Sequence, residues 1–216
     1  PTRAKLKVEP VEFKNTVCFS EFSTMRNKMW NRNEAWPVVI KHCHKLGMKC
    51  VSISAEPTRL DNVIAHNSQS IQKTIQDIAA CKFYLGLNHG PAWIAYALGK
   101  PVVMITGVSE PWNDFPNPYR VAINQEVCGV GCFNDKTLPI DRGWEWCPRF
   151  KNYVCTSAIT EKMVTDTIDK LMEDNYANKK RVKPEENKRE HKRTDEYGKI
   201  PAEASCSDCV QPSSSV

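Results

Sequence analysis

The sequence predicts an α/β fold, a Rossmann-like parallel sheet flanked by helices. Short apolar runs of strand length alternate with segments of helical period, in the order β-α-β-α-β-α-β-loop-β-loop-α. The stretch from Phe83 to Gly107, FYLGLNHGPAWIAYALGKPVVMITG, is a complete strand–turn–helix–strand unit, and a crossover of that kind joins parallel strands. Hydrophobic residues make up 41% of the 216 positions, enough for one sizeable core.

Residues 1–15 are polar, with two prolines, and are expected to be a linker. Thr16–Phe19 reads as the first strand and Ser20–Arg32 as a polar loop. In Glu34–Leu46, the residues Trp36, Val39, Ile40, Cys43 and Leu46 recur at spacings of three and four, one face of a helix, and Gly47 ends it. Lys49–Ser54 is the second strand, and Ala55–Ser68 a loop or short irregular helix. Ser70 suits the N-cap of a helix through Ala80, with Ile71, Ile75 and Ile78 in phase. After the strand Phe83–Leu87, Asn88–Pro91 breaks the pattern. Gly90 permits a sharp turn and close approach of a ligand, and Pro91 is placed at the first helical position, where its missing N–H costs nothing. Ala92–Leu98 is a short helix and Pro101–Ile105 the next strand. Val108–Asn117 is a polar loop, Tyr119–Ile123 a last strand, and Cys128–Cys155 an irregular excursion. Thr160 caps a final helix through Met172. The folded domain is therefore expected over residues 16–174. From Asn175 apolar residues vanish, and 175–216, which includes the isolated pair Cys206 and Cys209, is expected to be a disordered charged tail.

Charge excludes little but weighs against nucleic acid. The net charge is +5, of which the last 42 residues carry nine basic and seven acidic groups, and neither part forms a strongly basic face. No apolar run approaches the length of a membrane helix, so no membrane partner is expected. The amino end is polar and has no signal-peptide pattern. The chain begins at Pro1 without an initiator Met, which reads as a fragment or a processed piece. Ten cysteines are many. Cys18, Cys43, Cys50 and Cys81 lie in apolar surroundings and read as reduced core thiols. A disulfide scaffold would be short and poor in helix–strand alternation, so a reducing compartment, the cytoplasm, is expected.

Two constellations carry chemistry. The first converges on the Asn88–Pro91 turn, where a helix begins just beyond the carboxyl end of a strand. Free N–H groups and the positive end of the helix dipole favour a phosphate or diphosphate there. The loop after the first strand opens on the same edge and offers Thr24 and Lys28, a hydroxyl donor and a point charge suited to diphosphate oxygens. His89 could donate to a phosphate or serve as a structural histidine. Glu110, after a later strand, could accept hydrogen bonds from ribose hydroxyls. The second is Cys128-x3-Cys132 followed by Cys147-x7-Cys155. Four thiolates suit zinc or iron in tetrahedral sulfur coordination, and such a finger, residues 126–156, would order an otherwise patternless segment. Incidental thiols are the alternative.

Ser23-Thr24, Lys28-x-Trp30 and the run Gly86-Leu87-Asn88-His89-Gly90-Pro91-Ala92-Trp93 resemble the nucleotide-sugar-binding half of bacterial heptosyltransferases. Ser109-Glu110-Pro111-Trp112-Asn113, Cys132-Phe133-Asn134-Asp135, Trp146-Cys147-Pro148-Arg149 and Cys155-Thr156 narrow this to a likeness to the autotransporter strand-loop-strand O-heptosyltransferase family. The resemblance covers roughly Thr16 to Met172. It implies the carboxyl-terminal, donor-binding half of a glycosyltransferase-B fold, an ADP-heptose donor, and transfer to Ser hydroxyls of a protein acceptor. It further implies iron held by Cys128, Cys132, Cys147 and Cys155, and a diphosphate held by Thr24, Lys28 and the turn Asn88, His89, Gly90, Pro91. The related lipopolysaccharide enzymes carry Asp-Ser/Thr-Gly where this chain has Asn88-His89-Gly90, which leaves the sugar open. Their catalytic base lies in an amino-terminal half that is missing here, so no catalytic residue is named. A non-catalytic, metal-stabilised binding or assembly module is the alternative.

Overall fold

The computed structural model describes residues 5–6, 8, 15–67, 69–123, 127–128, 131–138 and 145–177. Contacts divide the chain into two units, Pro1–Met172 and Glu173–Val216. Most of the expected linker and nearly all of the expected tail, with Cys206 and Cys209, lie outside the described residues.

In the first unit, six strands form one parallel sheet: β1 (Thr16–Ser20), β2 (Lys49–Ser52), β3 (Ile64–Ala65), β4 (Phe83–Leu87), β5 (Val102–Ile105) and β6 (Arg120–Val121), in the order β3-β2-β1-β4-β5-β6. Between them run the helices α1 (Ala35–Lys45), α2 (Ile71–Ala80) and α3 (Gly90–Ala97). A short α4 (Val154–Ser157) precedes α5, residues 161–177.

Because successive side chains of a strand point to opposite faces, the apolar runs supply two cores. Val17, Phe19, Phe83, Leu85, Leu87, Val103 and Ile105 join Val39, Ile40 and Cys43 of α1 and Ile168 and Leu171 of α5. Cys18, Tyr84, Val102 and Met104 face Ile78 of α2 and Ala92 and Ala95 of α3. This double burial is why the central strands read as continuous apolar runs. Ser70 caps α2 as expected, its side chain accepting a hydrogen bond from the Lys73 N–H.

The structure departs from the sequence expectations at the margins. β3 falls within the stretch expected to be a loop or irregular helix; its two residues are both exposed, so no apolar run announces it. The last strand contracts from Tyr119–Ile123 to Arg120–Val121, enough to pair with the end of β5. The final helix runs five residues beyond Met172. α3 starts at Gly90, which makes Pro91 its second residue, where an N–H is still not needed within the helix. Trp30, placed in the polar loop, is buried. It packs edge-on against Trp36 at 5.5 Å, and its indole N–H donates to the Ile159 carbonyl at 3.0 Å. Among the described residues, no helix is long and apolar enough to cross a membrane.

Candidate functional site

In open α/β sheets, ligands settle at the carboxyl ends of the strands, where the winding of the sheet reverses direction. Here that point is the crevice between β1 and β4. The loop after β1 and the turn after β4 form its two lips, and two cavities open there that share His89 and Gly90.

The larger of the two, about 510 Å³, has apolar walls from Ile53, Ile71 and Ile94 and polar groups from Thr24, Glu56 and Gln69. Pro91 borders it as well. Its floor is stitched by Ser54, whose Oγ accepts from the Glu21 backbone N–H at 3.1 Å and lies 3.1 Å from Ser20 Oγ. That joins the ends of β1 and β2 and fixes the start of the loop after β1. A Cβ placed on Gly90 would meet no atom within 4 Å, so the backbone at the start of α3 faces open space in the crevice.

The smaller cavity, about 260 Å³, is bordered by Lys28, Asn88, Trp93, Asn113 and Phe133 besides the shared residues. Lys28 lies in a short 3-10 turn, Arg26–Lys28. Burial disfavours its charge and lowers its pKa, an effect the Asp114 carboxylate partly opposes. Its Nζ stands 5.5 Å from the centroid of the Phe133 ring. His89 is held neutral, with a pKa lowered to about 4 by burial and by the Lys28 charge. Its Nε2 is buried and finds no hydrogen-bond partner among the described residues. A buried polar atom of this kind is costly unless something pairs with it.

Asn88 is braced. Its amide donates to Ser109 Oγ at 2.7 Å and to Asp114 Oδ1 at 2.6 Å; Ser109 Oγ also donates to that carboxylate at 2.9 Å. Arg120 Nε pairs with the other oxygen of Asp114 at 2.9 Å, and the Asp114 side chain is 1% exposed. The brace ties the turn to β6 and leaves the Asn88 amide committed. The sequence gives no local sign of it, because Asp114 and Arg120 sit in stretches that read as polar loop and strand edge. Glu110 lines neither cavity. Its carboxylate lies against Gly131, whose φ of +94° and lack of a Cβ allow that approach. Glu56 is the carboxylate that borders the larger cavity instead.

The four clustered cysteines, Cys128, Cys132, Cys147 and Cys155, are buried free thiols, as are Cys18, Cys43, Cys50 and Cys81. Among the described residues, no group of three or more His, Cys, Asp or Glu side chains stands arranged to hold a metal ion. The chemistry of the set nonetheless fits one. Burial, and then the charges of Cys132 and Cys147, raise the Cys128 thiol; burial and the other three push Cys155 up to about 12. Four thiolates in mutual electrostatic reach can ionise together only beside a cation. Two sulfurs also receive N–H groups: Arg149 Nε donates to Cys132 Sγ at 3.3 Å and the Lys151 backbone N–H to Cys147 Sγ at 3.3 Å. Donors of this kind orient and support metal-bound ligands. The segment is pinned to the sheet edge where the Cys155 carbonyl touches Gly107, a contact that a side chain there would block.

No family model matches the chain. It is 31% identical over 186 residues to the autotransporter heptosyltransferase BAHTCr of Citrobacter rodentium, covering 79% of this chain and 45% of that protein. Identity and coverage are the same for the autotransporter heptosyltransferase TibC of Escherichia coli. A crystal structure of TibC, a dodecameric iron-containing heptosyltransferase in complex with ADP-D-β-D-heptose, superposes with a TM-score of 0.71 over 81% of this chain and 49% of the TibC chain. The chain resembles the autotransporter heptosyltransferases. It spans about half the length of the relatives it matches. The fold expected from the resemblance is the fold observed, a six-stranded parallel sheet with flanking helices. One relative of this kind, from Burkholderia thailandensis, is the inactive autotransporter heptosyltransferase BimC, 25% identical over 172 residues, with 70% of this chain and 39% of BimC covered.

Proposed function

We propose that this chain is the donor-binding half of a glycosyltransferase that takes heptose from an ADP-heptose-like donor. A second, amino-terminal Rossmann-like half would supply the acceptor side and the base that deprotonates a Ser hydroxyl of a protein acceptor. One observation carries the reading: two cavities of unequal size meet at His89 and Gly90, at the reversal point of the sheet. A nucleoside fits the larger cavity, with its base between Ile53, Ile71 and Ile94 and its ribose hydroxyls toward Glu56. The diphosphate lies over the start of α3, within reach of Thr24 and Lys28, and the sugar enters the smaller cavity beside Asn88. The solved complex of TibC with ADP-D-β-D-heptose supports this reading.

The chemistry asked of this half is to stabilise the departing diphosphate. The Lys28 ammonium and the positive end of α3 supply charge, and neutral His89, in the tautomer that protonates Nε2, supplies a hydrogen bond. Groups already fixed by packing need no reorganisation when charge develops. Cys128, Cys132, Cys147 and Cys155 would hold one iron ion, with zinc as the alternative on thiolate chemistry alone. A closed four-sulfur site has no open position for substrate, so the ion orders the segment and takes no part in transfer. Buried free thiols suit a reducing compartment, and on that ground we place the protein in the cytoplasm.

A thermal-shift series with ADP, UDP and GDP tests the donor reading. ADP raises the melting temperature most, and no shift with any of the three overturns it. Lys28→Ala weakens ADP binding about tenfold, the effect of losing one hydrogen-bonded charge; unchanged affinity in calorimetry refutes its role. The likeness to inactive BimC favours a second reading, a binding or assembly module that keeps the nucleotide site without turnover. Transfer of heptose to an acceptor by the protein with its amino-terminal half separates the two.

A further inference from the structure

We infer that Phe133 is a positioning residue for Lys28, and that through it the cysteine segment sets the geometry of the diphosphate site; the inference rests on the donor-binding reading above. Lys28 is a flexible four-carbon stem with a compact charge, and fixing such a side chain costs rotamer entropy. Among the described residues, no carboxylate lies within ion-pair distance of it: Asp114, the acid that influences it electrostatically, is paired with Arg120. What the ammonium does face is the Phe133 ring, at 5.5 Å, and an aromatic face attracts a cation at that distance.

The ring is itself held. Phe133 belongs to the 3-10 turn Cys132–Asn134. Its backbone N–H donates to the Val108 carbonyl at 3.0 Å, and Asn134 Oδ1 accepts from the Glu110 N–H at 2.9 Å. These bonds fasten the turn to the loop after β5. Arg149 spans the same turn, donating to Cys132 Sγ at 3.3 Å and to Asp135 Oδ2 at 2.6 Å. A continuous set of contacts therefore runs from the thiols through one aromatic ring to the cation of the donor site. Ordering of the cysteine segment and readiness to bind diphosphate become linked, as coupling between sites requires.

The test is ADP affinity, measured by calorimetry on the metal-loaded chain. Phe133→Leu, which keeps the apolar bulk and removes the ring, weakens ADP about fivefold, and Phe133→Tyr restores it. Asn134→Ala, which frees the turn from Glu110, weakens ADP less and adds nothing in the Phe133→Leu background. In Lys28→Met, Phe133→Leu has no further effect, since neighbours acting as a unit are not additive. Wild-type affinity in a folded Phe133→Leu, or equal losses in the Leu and Tyr variants, overturns the link. Should Phe133→Leu not fold, additive losses in the Asn134→Ala and Lys28→Met cycle overturn it. Failure of the unmodified chain to bind ADP removes the donor reading, and this inference with it, whereas ADP binding indifferent to Phe133 removes the inference alone.

Discussion

The turn after β4 and the cysteine segment border the same small cavity, yet they are built in opposite ways. The turn joins a fully buried strand to a helix, and its remaining freedom is removed by the Asn88–Ser109–Asp114–Arg120 brace. Residues 131–138 and 145–157 hold one 3-10 turn and the four residues of α4. Non-glycine residues there adopt positive φ at Phe150, Asn152 and Tyr153, a conformation that needs support from elsewhere. Strand and helix bonding carries the first region, and the brace fixes only its turn, whereas the second is held by isolated turn bonds and by contacts of its side chains. Each should therefore fail under a different insult.

The largest difference is expected on metal removal. Free energy of metal binding in small thiolate sites is free energy of folding. Chelation should leave the sheet intact by circular dichroism and speed proteolysis within residues 127–157 at least about tenfold, by raising the population of the locally opened form. Equal protection of that segment with and without chelator would show that the thiols order nothing. Elemental analysis of the purified protein tests whether it carries iron or zinc.

The mirror experiment breaks the brace. Asp114→Ala leaves the Arg120 guanidinium without its carboxylate and the Asn88 amide with only one of its two acceptors. Breaking a buried pair from one side costs about 3 kcal/mol, and for a chain of this size that lowers the melting temperature by about 10 °C. The variant should lose ADP affinity while keeping its metal content. Asp114→Asn, which retains an acceptor, falls between. A melting temperature within about 2 °C of the parent, a shift worth under 1 kcal/mol, would show that the turn stands without the brace.

The same contrast explains what the sequence could disclose. β1, β4, β5, α1 and α2 were legible because double burial writes continuous apolar runs and helical faces into the chain. The Asn88–Pro91 turn was legible because Gly90 and Pro91 punctuate it between two such runs. β3 was not, since Ile64 and Ala65 are exposed and pair only along an edge. Trp30 read as a loop residue because its burial depends on Trp36 and Ile159, the latter 129 positions away. Glu110 and Glu56 follow the same logic. Both end up in loops after strands, and only packing decides that one carboxylate turns to Gly131 and the other to the larger cavity. Phe133 stands beside a cysteine in the sequence, whereas its ring faces a lysine more than a hundred positions earlier.

The smallest expected effect reports on the point where the two cavities meet. The folded-state pKa of His89 is about 4, below the ordinary 6.5, with burial the first cause and Lys28 the second. The unfolded chain therefore binds a proton between those values that the folded chain refuses, and stability falls as pH drops from about 6.5 toward 4. His89→Gln removes this slope without removing a hydrogen-bonding side chain, so the difference in melting temperature between the two proteins should widen with falling pH in favour of the variant. ADP sharpens the measurement. Diphosphate oxygens near Nε2 favour the protonated ring, raise its pKa and flatten the parent's slope, while the variant's slope with ADP lacks that term. A parent slope that ADP leaves unchanged would place the diphosphate away from His89, on the far side of Gly90.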